Sequence, residues 1–253
     1  MSDPSFPSLA NVDPETFWPR FRWTQFAAMP ERDKTVVVIP IAGLADWGLG
    51  HSLDAEETVL MAILKAASQK FLPKSRLLVV PPLRFAFGAD PACAFALDQV
   101  SAFTFLADVV SAIAGAGFKK VVFLNASPWS EELLIGASRD IRISLCVQTF
   151  VISLSALELD FHPTRSKSRR TLQTLLTALN ETEAEAPEPL ANEAPGWGDE
   201  PITPLQGPAE PLASARTKAP ALIEAAGARL AVLLADIDAR PLTLASLAYP
   251  TSP

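Results

Sequence analysis

Lys34-Thr35-Val36-Val37-Val38-Ile39-Pro40-Ile41 is a continuous apolar, mostly β-branched run without polar alternation, the pattern of a strand buried on both faces. A glycine-rich turn, Ala42 to Gly50, follows it directly. Beyond the turn, Leu53 to Phe71 carries Val59, Ile63, Ala66 and Ala67 at helical spacing, with Ser52 or Asp54 placed to cap the helix. Glu56 and Glu57 fall in its first turn, where negative charge is favourable against the helix dipole.

The unit recurs outward from this stretch. Ser75 to Pro81 reads as a second buried strand, and the loop from Leu83 to Gln99 leads to a helix over about Val100 to Ala114, stopped by Gly115-Ala116-Gly117. Phe118 to Asn125 is a third strand. Glu131 to Ala137 reads as a short helix and Ile141 to Leu154 as a fourth, interruptible strand. Thr171 to Leu179 opens another helix, and Ala213 to Ile237 is a long amphipathic one. Such alternation predicts an α/β fold, a mainly parallel sheet with helices on both faces. Ligands in such sheets bind beyond the carboxyl ends of the strands, which directs attention to the loops after Ile41, Pro82, Asn125 and Leu154.

The expected domain spans residues 31–240. Ahead of it, residues 1–30 are Pro- and aromatic-rich, and Trp18, Phe21, Trp23 and Phe26 are expected to lie on the domain or on a partner subunit. Within it, residues 180–211 form an acidic, Pro-rich loop without hydrophobic period, and residues 241–253 read as a tail.

With 253 residues, 49% of them hydrophobic, the chain can bury roughly 70–75% of its unfolded surface in one core. A net charge of −7 and a pI near 4.9 argue against nucleic acid as a partner. The basic run Arg165 to Arg170 reads as a solvated helix start. Cys93 and Cys146 sit in apolar neighbourhoods and are expected to be buried packing residues. The N-terminus has no charged region followed by an apolar one, and no apolar run reaches the ~18 residues of a membrane span, so a cytoplasmic protein is expected.

Three stretches carry a family resemblance. Val38-Ile-Pro-Ile-Ala-Gly43 enters a loop that ends at His51; Gly115-Ala-Gly-Phe-Lys-Lys-Val-Val-Phe-Leu-Asn125 is a helix stop, a strand and an asparagine; Ser214 to Ile237 is a closing helix. In layout these resemble the creatininase family, metal-dependent amidohydrolases with a three-layer α/β fold, over about residues 30 to 240. The resemblance implies two divalent metals, such as zinc or manganese, held by a Glu and a His from the first loop, an Asp at the helix start, a His after the Asn-Gly and a later Glu. Placed without gaps, those positions are Asp46, Gly48, Glu57, Ser127 and Arg165.

Asp46 and Glu57 keep a carboxylate, both imidazoles are missing, and a cation stands where a carboxylate is needed. Paired dications need anionic ligands to offset their repulsion and imidazoles to set geometry. Without them, water keeps a pKa near ~15.7 and the family's nucleophile is lost. No metal cofactor is therefore expected. His51 and His162, the two histidines, fall near the first and last family motifs and read as structural or leftover pocket residues. A single remodelled metal site would need Asp46, Glu57 or Glu56 beside them. Candidate pocket residues are Asp46, His51, Glu57, Asn125, Ser127, His162 and Arg165. Ser127 and Ser130 with Asp46 suggest a hydrolase triad, but no Gly-x-Ser-x-Gly elbow surrounds either serine. Trp47 and Trp129 are placed to fill the vacated pocket or to face an interface.

Two functions follow as expectations: a non-catalytic structural or regulatory subunit, in a homo-oligomer or with an active paralogue, or an amidohydrolase acting on a small amide or cyclic amide with a rebuilt site. Arg165 would then hold an anionic substrate.

Overall fold

The computed structural model describes residues 13–87, 93–185 and 205–242. Its centre is a parallel sheet of β1 (Val36–Ala42), β2 (Leu77–Val79), β3 (Leu83–Arg84), β4 (Lys120–Asn125) and β5 (Gln148–Ser153). The order is β2-β1-β4-β5, with β3 extending the pairing of β1 past the end of β2. The helices are α1 (Trp23–Ala28), α2 (Ala55–Lys70), α3 (Gln99–Gly115), α4 (Glu131–Leu145), α5 (Ser166–Leu179) and α6 (Leu212–Ala239). Two-residue ladders join Leu44–Ala45 to Cys93–Ala94 and Ala86–Phe87 to Ala96–Leu97 within the stretch expected to be a plain loop.

All seven residues of β1 are buried, and their side chains alternate between two cores. Val36 and Val38 pack with α2, α5 and α6, whereas Val37, Ile39 and Ile41 pack with α3 and α4. Burial of both sheet faces explains why the strands read as unbroken apolar runs. The α2 and α6 backbones approach closely at Gly227, where an added methyl would lie 2.6 Å from the Ala66 methyl. The aromatic segment lies on the domain: Phe17 is buried, and the Trp18 ring stands 5.2 Å from that of Phe118 and 4.7 Å from that of Phe26. Trp23 is exposed. Among the described residues, no helix is long and apolar enough to cross a membrane.

Several expectations are corrected. Where a strand is expected from Ile141, α4 continues to Leu145 because Leu134, Ala137 and Ile141 bury one helical face, and that packing overrides β-branched propensity. Cys146 then ends the helix in the left-handed conformation (φ 50°) and is exposed rather than buried; Cys93 is buried. Helix α5 starts at Ser166, and Arg169 within the supposedly solvated run is buried. Most of the acidic loop (186–204) and of the tail (243–253) lies outside the described residues.

Lys120 is the buried charge on which the fold's far edge turns. Its Nζ donates to the carbonyls of Ile237, Asp238 and Arg240 at 3.0, 2.6 and 2.7 Å, closing the C-terminal end of α6 with a cation where the helix dipole is negative. Desolvation lowers its pKa, partly opposed by Asp238. Lys120→Met removes these charge-assisted bonds and leaves the carbonyls unmet, and is expected to lower stability by about 2–4 kcal/mol, read as a fall in the urea midpoint with unchanged slope.

Candidate functional site

The site lies at the carboxyl ends of β1, β4 and β5. Strand β1 runs out at Ala42, and the Gly43 N–H donates to Glu56 Oε2 at 2.7 Å. A methyl at Gly43 would stand 3.2 Å from that oxygen and 3.6 Å from Ser127 Oγ, so glycine lets the carboxylate and the hydroxyl close over the strand end. Glu56 is fully buried, and desolvation pushes its pKa up to about 7, opposed by the Gly43 N–H and, more weakly, by the nearby Trp47 indole and Ser127 hydroxyl. Neither of the last two completes a hydrogen bond of normal geometry: Trp47 Nε1, Ser127 Oγ and Glu56 Oε1 have no such partner among the described residues.

Glu57 is also fully buried and is tied to the Arg84 guanidinium, which donates through Nε to Oε2 and through Nη2 to Oε1 at 2.9 Å. That bond raises the Arg84 pKa. The adjacent carboxylates thus differ sharply: one is neutralised by a guanidinium, the other by its own proton near neutral pH. Both lie in the first turn of α2, as the sequence predicts, and both are buried there.

Asn125 is committed to its own turn, donating from Nδ2 to the Ser127 carbonyl (2.7 Å) and accepting at Oδ1 from the Ser127 N–H (3.1 Å). Above it opens a cleft of about 180 Å³, lined by Asn125, Ser127, Glu131, Ser153, Asp160 and His162 among others. The Ser127 and Ser153 hydroxyls are buried there without hydrogen-bond partners among the described residues.

The first loop is pinned from several sides. Trp47 is buried, with its ring 5.1 Å from that of Trp129. Arg169 reaches in from α5 and donates to the carbonyls of Trp47 (2.7 Å) and Gly48 (3.2 Å). Asp46 accepts from the Gly48 N–H (2.8 Å) and interacts electrostatically with Arg169. Two residues of the acidic segment bond here: the Glu185 N–H donates to the Gly50 carbonyl and the Leu205 N–H to that of Gly48, each at 3.0 Å. Gly50, at φ +69°, stands so near Glu185 that a side chain would clash with its carbonyl.

The remaining candidates are dispersed. His51 Nε2 meets Thr177 Oγ1 at 3.3 Å, and burial lowers its pKa. His162 Nδ1 meets Thr164 Oγ1 at 3.0 Å, at the cleft wall. Arg165 is exposed and paired with Asp160 at 2.6 Å, rather than aimed at the loop. A dinuclear metal does not fit this set: Glu57 is held by Arg84, Asp46 by a backbone N–H, and the imidazoles by separate threonines. Among the described residues, no three His, Cys, Asp or Glu side chains gather as metal ligands would.

Sequence reasoning misses three residues that organise the site, Glu56 as a buried acid, Arg84 and Arg169. Two carry a legible signal. Glu56 shares the stripe of Val59, Leu60 and Ile63 on α2, and Arg169 that of Leu172 and Leu176 on α5, so each lies on the buried face of its helix.

No protein-family model matches the sequence, and no curated protein sequence matches it. Solved structures do. A crystal structure of creatinine amidohydrolase (creatininase) superposes with a TM-score of 0.66 at 14% identity, covering 89% of this chain and 99% of that one. A manganese creatininase gives 0.62 at 16% identity with the same coverage. The chain has the creatininase fold.

The buried Glu56 makes stability depend on pH. An acid whose folded pKa lies near 7, above its ordinary 4.5, holds its proton more tightly when folded, so stability falls as pH rises from about 4.5 through about 7. Glu56→Gln cannot ionise. Its stability relative to the parent is expected to rise by up to about 3 kcal/mol between about pH 5 and about pH 8, measured from urea midpoints at each pH.

Proposed function

We propose that this chain is a diverged member of the creatininase family that has lost metal-dependent amidohydrolase activity and serves as a non-catalytic structural or regulatory subunit. Its setting is cytoplasmic, within a homo-oligomer or a complex with an active paralogue. The observation that carries this reading is the ion pair of Glu57 with Arg84. A carboxylate at a family metal-ligand position has a guanidinium as its counter-charge, and a dication beside it would meet a fixed positive charge. The family's imidazole positions hold Gly48 and Ser127, and two tryptophans fill space next to them. Glu185 and Leu205 of the acidic segment occupy two carbonyls of the first loop.

One observation favours a second reading, an amidohydrolase on a small or cyclic amide with a rebuilt site. Glu56, fully buried and with a pKa near 7, lies behind the Ser127 hydroxyl that lines the cleft, and would act as a general acid–base through that hydroxyl. Such an enzyme would show amide hydrolysis with a pH profile inflecting near 7 that Glu56→Gln abolishes.

Elemental analysis tests the non-catalytic reading against a metal site, and an amide-hydrolysis assay of the metal-free chain tests the second. The purified full-length chain is expected to carry far less than one zinc, manganese or iron per molecule and to keep its melting temperature in excess chelator. Stoichiometric metal, lost on Asp46→Ala, overturns the non-catalytic reading.

A further inference from the structure

We propose that the outer face of α4 is a two-fold interface with a second copy of this chain. The proposal deepens the oligomeric part of the reading above and does not depend on the state of the metal site. Glu132, Ile135, Gly136, Arg139 and Ile143 form one exposed stripe at helical spacing. Ile135 is 47% exposed and Ile143 40%. Beside the stripe, a groove of about 400 Å³ runs between α3 and α4, lined by Phe103, Leu133 and Gly136 together with Gln99, Glu132 and Asp140, and edged by Val100, itself 74% exposed. Helix α3 adds to this apolar surface, carrying a single charged residue, Asp108, in 17.

Gly136 is the first independent pointer. It lies inside a helix, where glycine costs roughly 1 kcal/mol relative to alanine. A methyl placed on it would meet nothing within 4 Å. Nothing within the chain requires glycine there, whereas the close approach of a second helix does.

The second pointer is charge. Glu132 and Arg139 stand two helical turns apart, about 10 Å along the axis, too far to pair with each other. Neither makes an ion pair among the described residues. The positions 132 and 139 share their midpoint with 135 and 136. Two copies of α4 packed antiparallel about that point set each Glu132 against Arg139 of the second copy. The same operation brings each Ile135 over Gly136 of the second copy, at the mouth of the groove. One patch therefore supplies knob, hole and both signs of charge, as a closed two-fold contact needs. A parallel pairing would oppose Glu132 to itself, so the charges also select the antiparallel orientation.

Sedimentation velocity over a concentration series of the full chain tests this, with circular dichroism confirming that each variant folds. The unaltered chain is expected to self-associate. Glu132→Arg and Arg139→Glu, each placing like charges in contact, are expected to weaken association through this face by roughly tenfold or more. The double variant E132R/R139E exchanges the signs and is expected to return to within about threefold of the parent. A chain that stays monomeric throughout, single variants that associate as the parent does, or a double variant no tighter than the singles overturns the interface. Bound metal, which would sink the non-catalytic reading, leaves this comparison unaffected.

Discussion

Burial of β1 on both faces is the constraint from which the rest of the molecule follows. A strand with no face to water must find a helical layer on each side, and its neighbours inherit the same demand. The two cores take alternate side chains of the same seven residues, Val36 and Val38 to one side, Val37, Ile39 and Ile41 to the other. Most buried polar groups thereby gather toward the ends of the strands. At the amino end of β4 Lys120 meets three helix-end carbonyls; at the carboxyl ends Glu56, Glu57, Asn125 and Ser127 gather. Both clusters hold buried polar groups, and both satisfy most of them locally.

The architecture was legible in the sequence wherever the local pattern and the tertiary environment agree. Apolar runs at 36–42 and 120–125 admit only buried strands, and the glycines after α3 and β1 mark their turns. Reading fails where packing overrules local preference. The β-branched run beginning at Ile141 is divided between the end of a helix and a strand, because its first residue completes a helical stripe with Leu134 and Ala137. Cys146, apolar by its neighbours, is exposed because it makes the left-handed turn between those elements.

The site was legible only in location. Strand-end reasoning and spacing lead to the Gly43–His51 loop, Asn125 and Ser127, which the fold brings to one end of the sheet. What the side chains do there depends on partners distant in sequence. Glu57 and Arg84 are 27 positions apart, and Arg169 lies 122 from Trp47. The helical pattern places Glu56 with buried residues, but it does not foretell the partners: Glu56 ends at a glycine N–H with a raised pKa and Glu57, equally buried, in a bidentate ion pair. A difference of one residue on a helix, about 100° of rotation, decides which is neutralised by a proton and which by a cation.

The Arg84 guanidinium also changes what this fold requires of its surroundings. A counter-charge carried on the chain is synthesised with it, stays protonated across the physiological range and does not exchange with solution. It cannot be chelated, displaced by a competing ion or withheld by a cell starved of transition metals. The Glu57–Arg84 pair therefore forms from the chain's own groups, without an ion taken from solution.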